Sequence, residues 1–194
     1  MSVVMTKNLN KGFYGIFIQK YLLEERYKIT HDPKNGRYDL PSKLNSISGS
    51  NVSIKASKNC RVYCSGLFNF LDSTDFEIIY ILYEILVPRK KIRLNYVYLL
   101  DMNDTKELID NANLDKEKLD YLKTVVNGFS YTNNETRKFY TKLSRIIDKD
   151  SLFTVNCKLG SKNKRIQLSF SFKTYFQTNL VKILKEYSGR VLNI

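Results

Sequence analysis

The chain has 194 residues, 43% of them hydrophobic, and carries 32 Lys and Arg against 19 Asp and Glu, a formal net charge of +13. That length suits one domain with a sizeable core, and such an excess of cations points to an anionic partner, nucleic acid before any other. No apolar run approaches the ~20 residues of a membrane-spanning helix, so a membrane partner is not expected.

In chain order, residues 9–28 read as a first helix, with Phe13, Ile16, Phe17, Tyr21 and Leu23 at helical spacing. It stops before His31-Asp32-Pro33, because proline disfavours helix in the residue before it. Residues 35–64 read as a small meander. Arg37–Leu40 is short and extended after an Asn35-Gly36 turn, and 41–50 is a loop. Asn51–Ser57 alternates polar and apolar residues over its whole length, the mark of a strand with one buried face. Cys60–Cys64 is a further strand expected to pair back after a Lys58-Asn59 turn, and residues 66–71 begin a helical turn.

Residues 75–87 form the most hydrophobic run, rich in Ile and Tyr, and predict a central strand buried on both faces. After a turn at 88–91, residues 91–100 alternate as its partner. Helical patterning covers 104–126 before an Asn127-Gly128 stop, and again 134–149. Residues 152–159 and 165–172 alternate around Gly160-Ser161-Lys162-Asn163, a hairpin with a basic tip, and 174–187 predict a last helix. The fold class is therefore α/β or α+β, a mixed central sheet flanked by helices. A single domain over 1–194 is expected, with a core at about 9–100 and a basic helix–hairpin–helix extension at about 101–194.

The charge is uneven: +6 over residues 1–60, −2 over 61–130 and +9 over 131–194. A lysine-rich coding bias would spread cations more evenly, so a basic surface on two flanks is expected, able to grip a duplex and release its counterions. The residues nominated for DNA contact are Lys58, then Arg137, Lys138, Lys142 and Arg145 on the second of the two middle helices, and Lys162, Lys164 and Arg165 on the hairpin. They would meet phosphates and set register. Asn156, Asn163 and Gln167 have the amides that base reading needs.

The cysteines are Cys60, Cys64 and Cys157, and His31 is the single histidine. Reduced thiols in a cytoplasmic protein are the expectation, with no structural zinc. Met1–Met5 lacks the charged and apolar regions of a secretory leader. No phosphate-binding glycine loop is present.

The chemistry-bearing pattern is Tyr38-Asp39-Leu40-Pro41 followed by Asn51-Val-Ser-Ile-Lys-Ala-Ser57, an acid ahead of a strand that carries Ser53 and Lys55 on one face. Two readings fit each residue: Asp39 as a metal ligand or as a turn residue capping its own backbone, Lys55 as a reactive cation or as an exposed strand lysine. With its leading helix, this pattern resembles the PD-(D/E)xK nuclease superfamily, in a branch of type II restriction endonucleases with Ser at the second acidic place. The resemblance covers about residues 10–100. It implies a restriction-endonuclease-like core and Mg²⁺- or Mn²⁺-dependent, sequence-specific cleavage of double-stranded DNA by a homodimer. Asp39 would be the principal metal ligand, Ile54 a backbone-carbonyl ligand, and Lys55 the cation that orients the attacking water. Ser53 is no carboxylate, so a second acid is sought at Glu24 or Glu25 on the helix, or at Glu77 or Glu84 on the long strand. The alternatives are a nucleic-acid-binding protein on the same fold without catalysis, and a basic interaction protein with no nucleic-acid role.

Overall fold

The computed structural model describes residues 11–33, 38–66, 76–86, 91–102, 116–127, 138, 153–158, 165–171 and 181–194. They form an α+β fold with a mixed sheet and few helices. The chain divides into two compact units. One holds residues up to Asn59, Phe76–Leu100 and Lys182–Ile194; the other holds Cys60–Asp75 and Asp101–Val181.

The first unit is built on helix α1 (Lys11–Tyr27) and five strands: β1 (Asn51–Ser57), β3 (Phe76–Leu86), β4 (Lys91–Asp101), β7 (Val181–Ile183) and β8 (Val191–Asn193). The strand order is β1-β3-β4-β7, with β8 also beside β4. β1 and β3 run parallel, with Ile54 opposite Ile79, while β8 is antiparallel to β4 over Lys91–Arg93. Mixed pairing explains the pattern in β3. A strand enclosed between two neighbours, with both faces covered, needs no alternation, and Phe76–Ile81 are all buried.

On one face of the sheet, Tyr14, Ile18, Leu22, Leu23 and Tyr27 of α1 share a core with Val52, Ile54, Ile79, Ile81, Ile92, Leu94 and Val97. Leu184, Tyr187 and Leu192 of the C-terminal segment complete it. In β4 the inward positions step by two from Ile92 to Leu94, then by three to Val97. The alternation thus changes phase within the strand. It leaves Tyr96 half exposed, stacked on Tyr98, which stacks in turn on Tyr80 of β3.

The second unit contains β2 (Arg61–Gly66), helix α2 (Lys116–Asn127), β5 (Phe153–Lys158) and β6 (Arg165–Ser171). Its sheet order is β2-β6-β5. The hairpin expected at 152–172 is present as β5 antiparallel to β6, from Phe153–Phe170 to Lys158–Arg165. Helix α2 stops at Asn127, where the Asn-Gly signal lies, and its expected earlier part at 104–115 lies outside the described residues.

Two expectations are corrected. The strand after the Lys58-Asn59 turn does not pair back onto β1. β2 pairs antiparallel with β6, so the 35–64 meander ends at β1, whose neighbour is the parallel β3. The last helix is also absent over 181–187. Val181–Ile183 is a strand, and the chain turns through 185–189 into β8. The β-branched Val181 and Ile183 favour the strand, and Gly189 at φ +81° supplies the left-handed residue the turn needs. The helix expected at 134–149 lies outside the described residues except Lys138, which is helical and exposed.

Candidate functional site

The site forms at the outer edge of β1. Val52 exchanges both backbone hydrogen bonds with Leu40 (2.8 and 3.0 Å), which docks the Tyr38–Leu40 segment antiparallel to the strand. Backbone groups of alternate residues in a strand point to the same side, so the N–H and carbonyl of Ile54 face that edge as well. There the Asp39 side chain takes over from the backbone: its Oδ2 accepts the Ile54 N–H at 2.6 Å. The carboxylate thus ends the edge of the sheet where another strand would otherwise add.

The same oxygen accepts from the Ser53 hydroxyl at 3.3 Å and lies 3.6 Å from the Lys55 ammonium. The other oxygen, Oδ1, accepts from the Gln19 amide of α1 at 2.9 Å. Asp39, Ser53, Ile54 and Lys55, nominated from sequence, therefore converge on one carboxylate. The side chains of Asp39 and Lys55 are 22% and 34% exposed, which leaves the cluster open to an incoming ligand.

Gln19 was not legible in advance. It lies on the first helix one position after the buried Ile18, and not at Glu24 or Glu25, where an acid was sought. Only the docking of α1 on β1 aims it at Asp39. The four acids considered for that task have other partners, Glu84 lying 3.0 Å from Arg93 on the surface. Glu24 lies 3.9 Å from Lys20 and Glu25 3.8 Å from Arg190, both on the surface. Glu77 is buried in β3 opposite Val52, where it accepts from the Ser48 hydroxyl at 3.0 Å, away from any open sheet face. Among the described residues no three His, Cys, Asp or Glu converge.

A carboxylate offers about four acceptor positions. Around Asp39 three donors crowd Oδ2 and a single one reaches Oδ1. The oxygens this edge offers a cation are those of the Asp39 carboxylate, the Ser53 hydroxyl bonded to it and the Ile54 carbonyl. Mg²⁺ suits such a set, since it takes one or two carboxylates and keeps several waters.

Beside this cluster lies a cavity of about 430 Å³, with Gln19 in its wall and Ile16, Leu23 and Ile29 among its apolar lining. Its far side exists because Lys28 adopts a left-handed conformation at φ 59°. That reverses the chain at the end of α1 and lets the Ile29 N–H reach back to the Leu23 carbonyl at 2.9 Å. The Lys28 ammonium donates to the Glu25 carbonyl at 2.9 Å and satisfies another end group of the helix.

Of the residues nominated for DNA contact, Lys58 is exposed just after β1, with its ammonium 5.9 Å from the centre of the Tyr14 ring. Lys138 is exposed. Arg165 opens β6 opposite Lys158, and Asn156 pairs with Gln167 across the β5–β6 hairpin. Arg137, Lys142, Arg145, Lys162, Asn163 and Lys164 lie outside the described residues. Searches against known protein families, curated proteins and solved structures find no match to this chain.

Proposed function

We propose that the protein is a Mg²⁺- or Mn²⁺-dependent endonuclease that hydrolyses phosphodiester bonds of double-stranded DNA, sequence-specifically and as a homodimer in the cytoplasm. The observation that carries this reading is the pairing of Asp39 with Lys55 at 3.6 Å on an open sheet edge, with Ser53 and the Ile54 amide on the same carboxylate. The net charge of +13 supports a polyanionic substrate.

Hydrolysis forms a bond from a water oxygen to phosphorus and breaks the bond from phosphorus to the leaving sugar oxygen. A divalent ion, when bound, offsets phosphate charge and lowers the pKa of a coordinated water. Asp39, Ser53 and Ile54 supply the oxygens that would hold it. Gln19 and the Ile54 N–H fix the orientation of the Asp39 carboxylate, so little reorganisation is needed as charge develops. The Lys55 ammonium orients the attacking water and stabilises negative charge on the phosphate. A second reading, DNA binding without cleavage, has its own support: among the described residues Asp39 is the one carboxylate in the cluster, and both its oxygens already accept hydrogen bonds within the fold.

Incubation with supercoiled plasmid separates the two. The wild type is expected to nick or linearise plasmid in Mg²⁺ or Mn²⁺ and to be silent in EDTA, and Lys55→Ala to slow cleavage about 100-fold or more. Plasmid left intact in both metals, with salt-sensitive DNA binding retained, would sink the nuclease reading in favour of the binding one.

A further inference from the structure

We infer that the cavity between α1 and the segment after it receives a nucleobase, the base of a nucleotide whose phosphate lies at Asp39 and Lys55. This rests on the proposed action at a phosphodiester, but the cavity has its own chemistry. Its volume of about 430 Å³ falls at the small end of the ~300–1,000 Å³ range of ligand pockets. That size suits one heterocycle and its sugar rather than a peptide segment.

The lining is two-sided. Ile16, Leu23 and Ile29 offer aliphatic surface for the face of a ring, while Thr30 and His31 offer donors and acceptors for its edge. Ile16 is the most exposed of the large hydrophobic side chains among the described residues, at 68%. A planar apolar ligand against it would remove that surface from water.

The position of the cavity relative to the candidate site selects the ligand. Gln19 belongs to both, with its side chain in the cavity wall and its amide on Asp39 Oδ1. One side chain therefore separates a base-sized hollow from the more open oxygen of the carboxylate, a separation a single nucleotide can bridge. In duplex DNA such a base must leave the stack, at a cost of a few kcal/mol, so occupation of the cavity would favour sites where the duplex opens easily.

The test is equilibrium binding in EDTA of the four deoxynucleoside 5′-monophosphates, beside deoxyribose 5-phosphate, which has the phosphate but no base. At least one nucleotide is expected to bind about tenfold more tightly than the sugar phosphate. Ile16→Asp, which polarises the apolar wall, and Thr30→Phe, which fills the hollow, should each remove that advantage and leave the weak binding of deoxyribose 5-phosphate unchanged. Both positions are exposed, so the fold tolerates the changes, and an unaltered unfolding midpoint checks this. Equal binding of nucleotides and sugar phosphate, or an advantage that survives both substitutions, overturns the inference. Because metal and cleavage are absent from this assay, a base-dependent signal upholds the cavity even if plasmid is never cut. Cleavage without that signal would overturn the cavity and leave the nuclease reading standing.

Discussion

At the scale of single residues, Asp39 and Lys55 are partners with unequal structural duties. Asp39 accepts the Ile54 N–H and the Gln19 amide, so Asp39→Ala strips acceptors from partly buried donors and should lower stability by ~1–3 kcal/mol. Lys55 is a third exposed and joins Asp39 only by a partly solvated ion pair, so Lys55→Ala should cost under ~1 kcal/mol. Denaturant unfolding of the two variants reads this difference, and both should lose cleavage. Gln19→Glu is the sharper probe. It sets a second carboxylate against Asp39, which should destabilise the protein in EDTA by ~1 kcal/mol through like-charge repulsion and recover stability when Mg²⁺ is added. A melting temperature indifferent to Mg²⁺ would argue against a metal at this edge. Asp39, Ser53, Ile54 and Lys55 were legible in the sequence because alternation over Asn51–Ser57 fixes which side chains share a face, and a turn and a proline frame Asp39. Gln19 was not, because nothing local marks an amide on a helix as the partner of an acid twenty positions on; that pairing exists only once α1 has docked.

At the scale of elements, legibility followed the range of the interactions. β1, β3, β4 and the β5–β6 hairpin were readable because alternation, an unbroken Ile- and Tyr-rich run and short turns are local signals. The pairing of β2 with β6 was not, since a strand's partner is set by long-range packing, whereas adjacency in sequence suggested β1. The last helix was misread for a related reason. Val181-Lys-Ile-Leu-Lys-Glu-Tyr187 has apolar residues at spacings that suit either period, and what selects the strand is the open side of β4. The turn that follows makes a testable demand. Gly189 sits at φ +81° with its N–H on the Leu94 carbonyl, and a Cβ there would meet nothing within 4 Å. Gly189→Ala should therefore isolate the backbone cost of the left-handed conformation, ~1 kcal/mol by thermal or denaturant melts. In the core, Ile79→Ala on the fully buried central strand should cost ~2–5 kcal/mol.

At the scale of the whole molecule, the excess of cations sets the physics of binding. Affinity for DNA should fall steeply with salt, its log–log slope growing by about 0.9 for each phosphate neutralised. Lys138→Ala, at an exposed helical position, should lower that slope by roughly one contact without altering sequence preference; titrations at several salt concentrations measure it. The composition of the core that α1 covers has a further consequence, for the order of events in time. Tyr14 and Ile18 share that core with Leu184, Tyr187 and Leu192, and Arg190 donates to the Tyr21 hydroxyl at 2.8 Å. During synthesis, the core that α1 begins with β1, β3 and β4 therefore stays incomplete until Leu184, Tyr187 and Leu192 have emerged. Closing so long a loop is slow, and uncovered apolar surface invites aggregation. A chain released before β7 should emerge without a cooperative unfolding transition and be prone to cluster, and a chaperone that shields the incomplete core should raise the yield of the full-length chain.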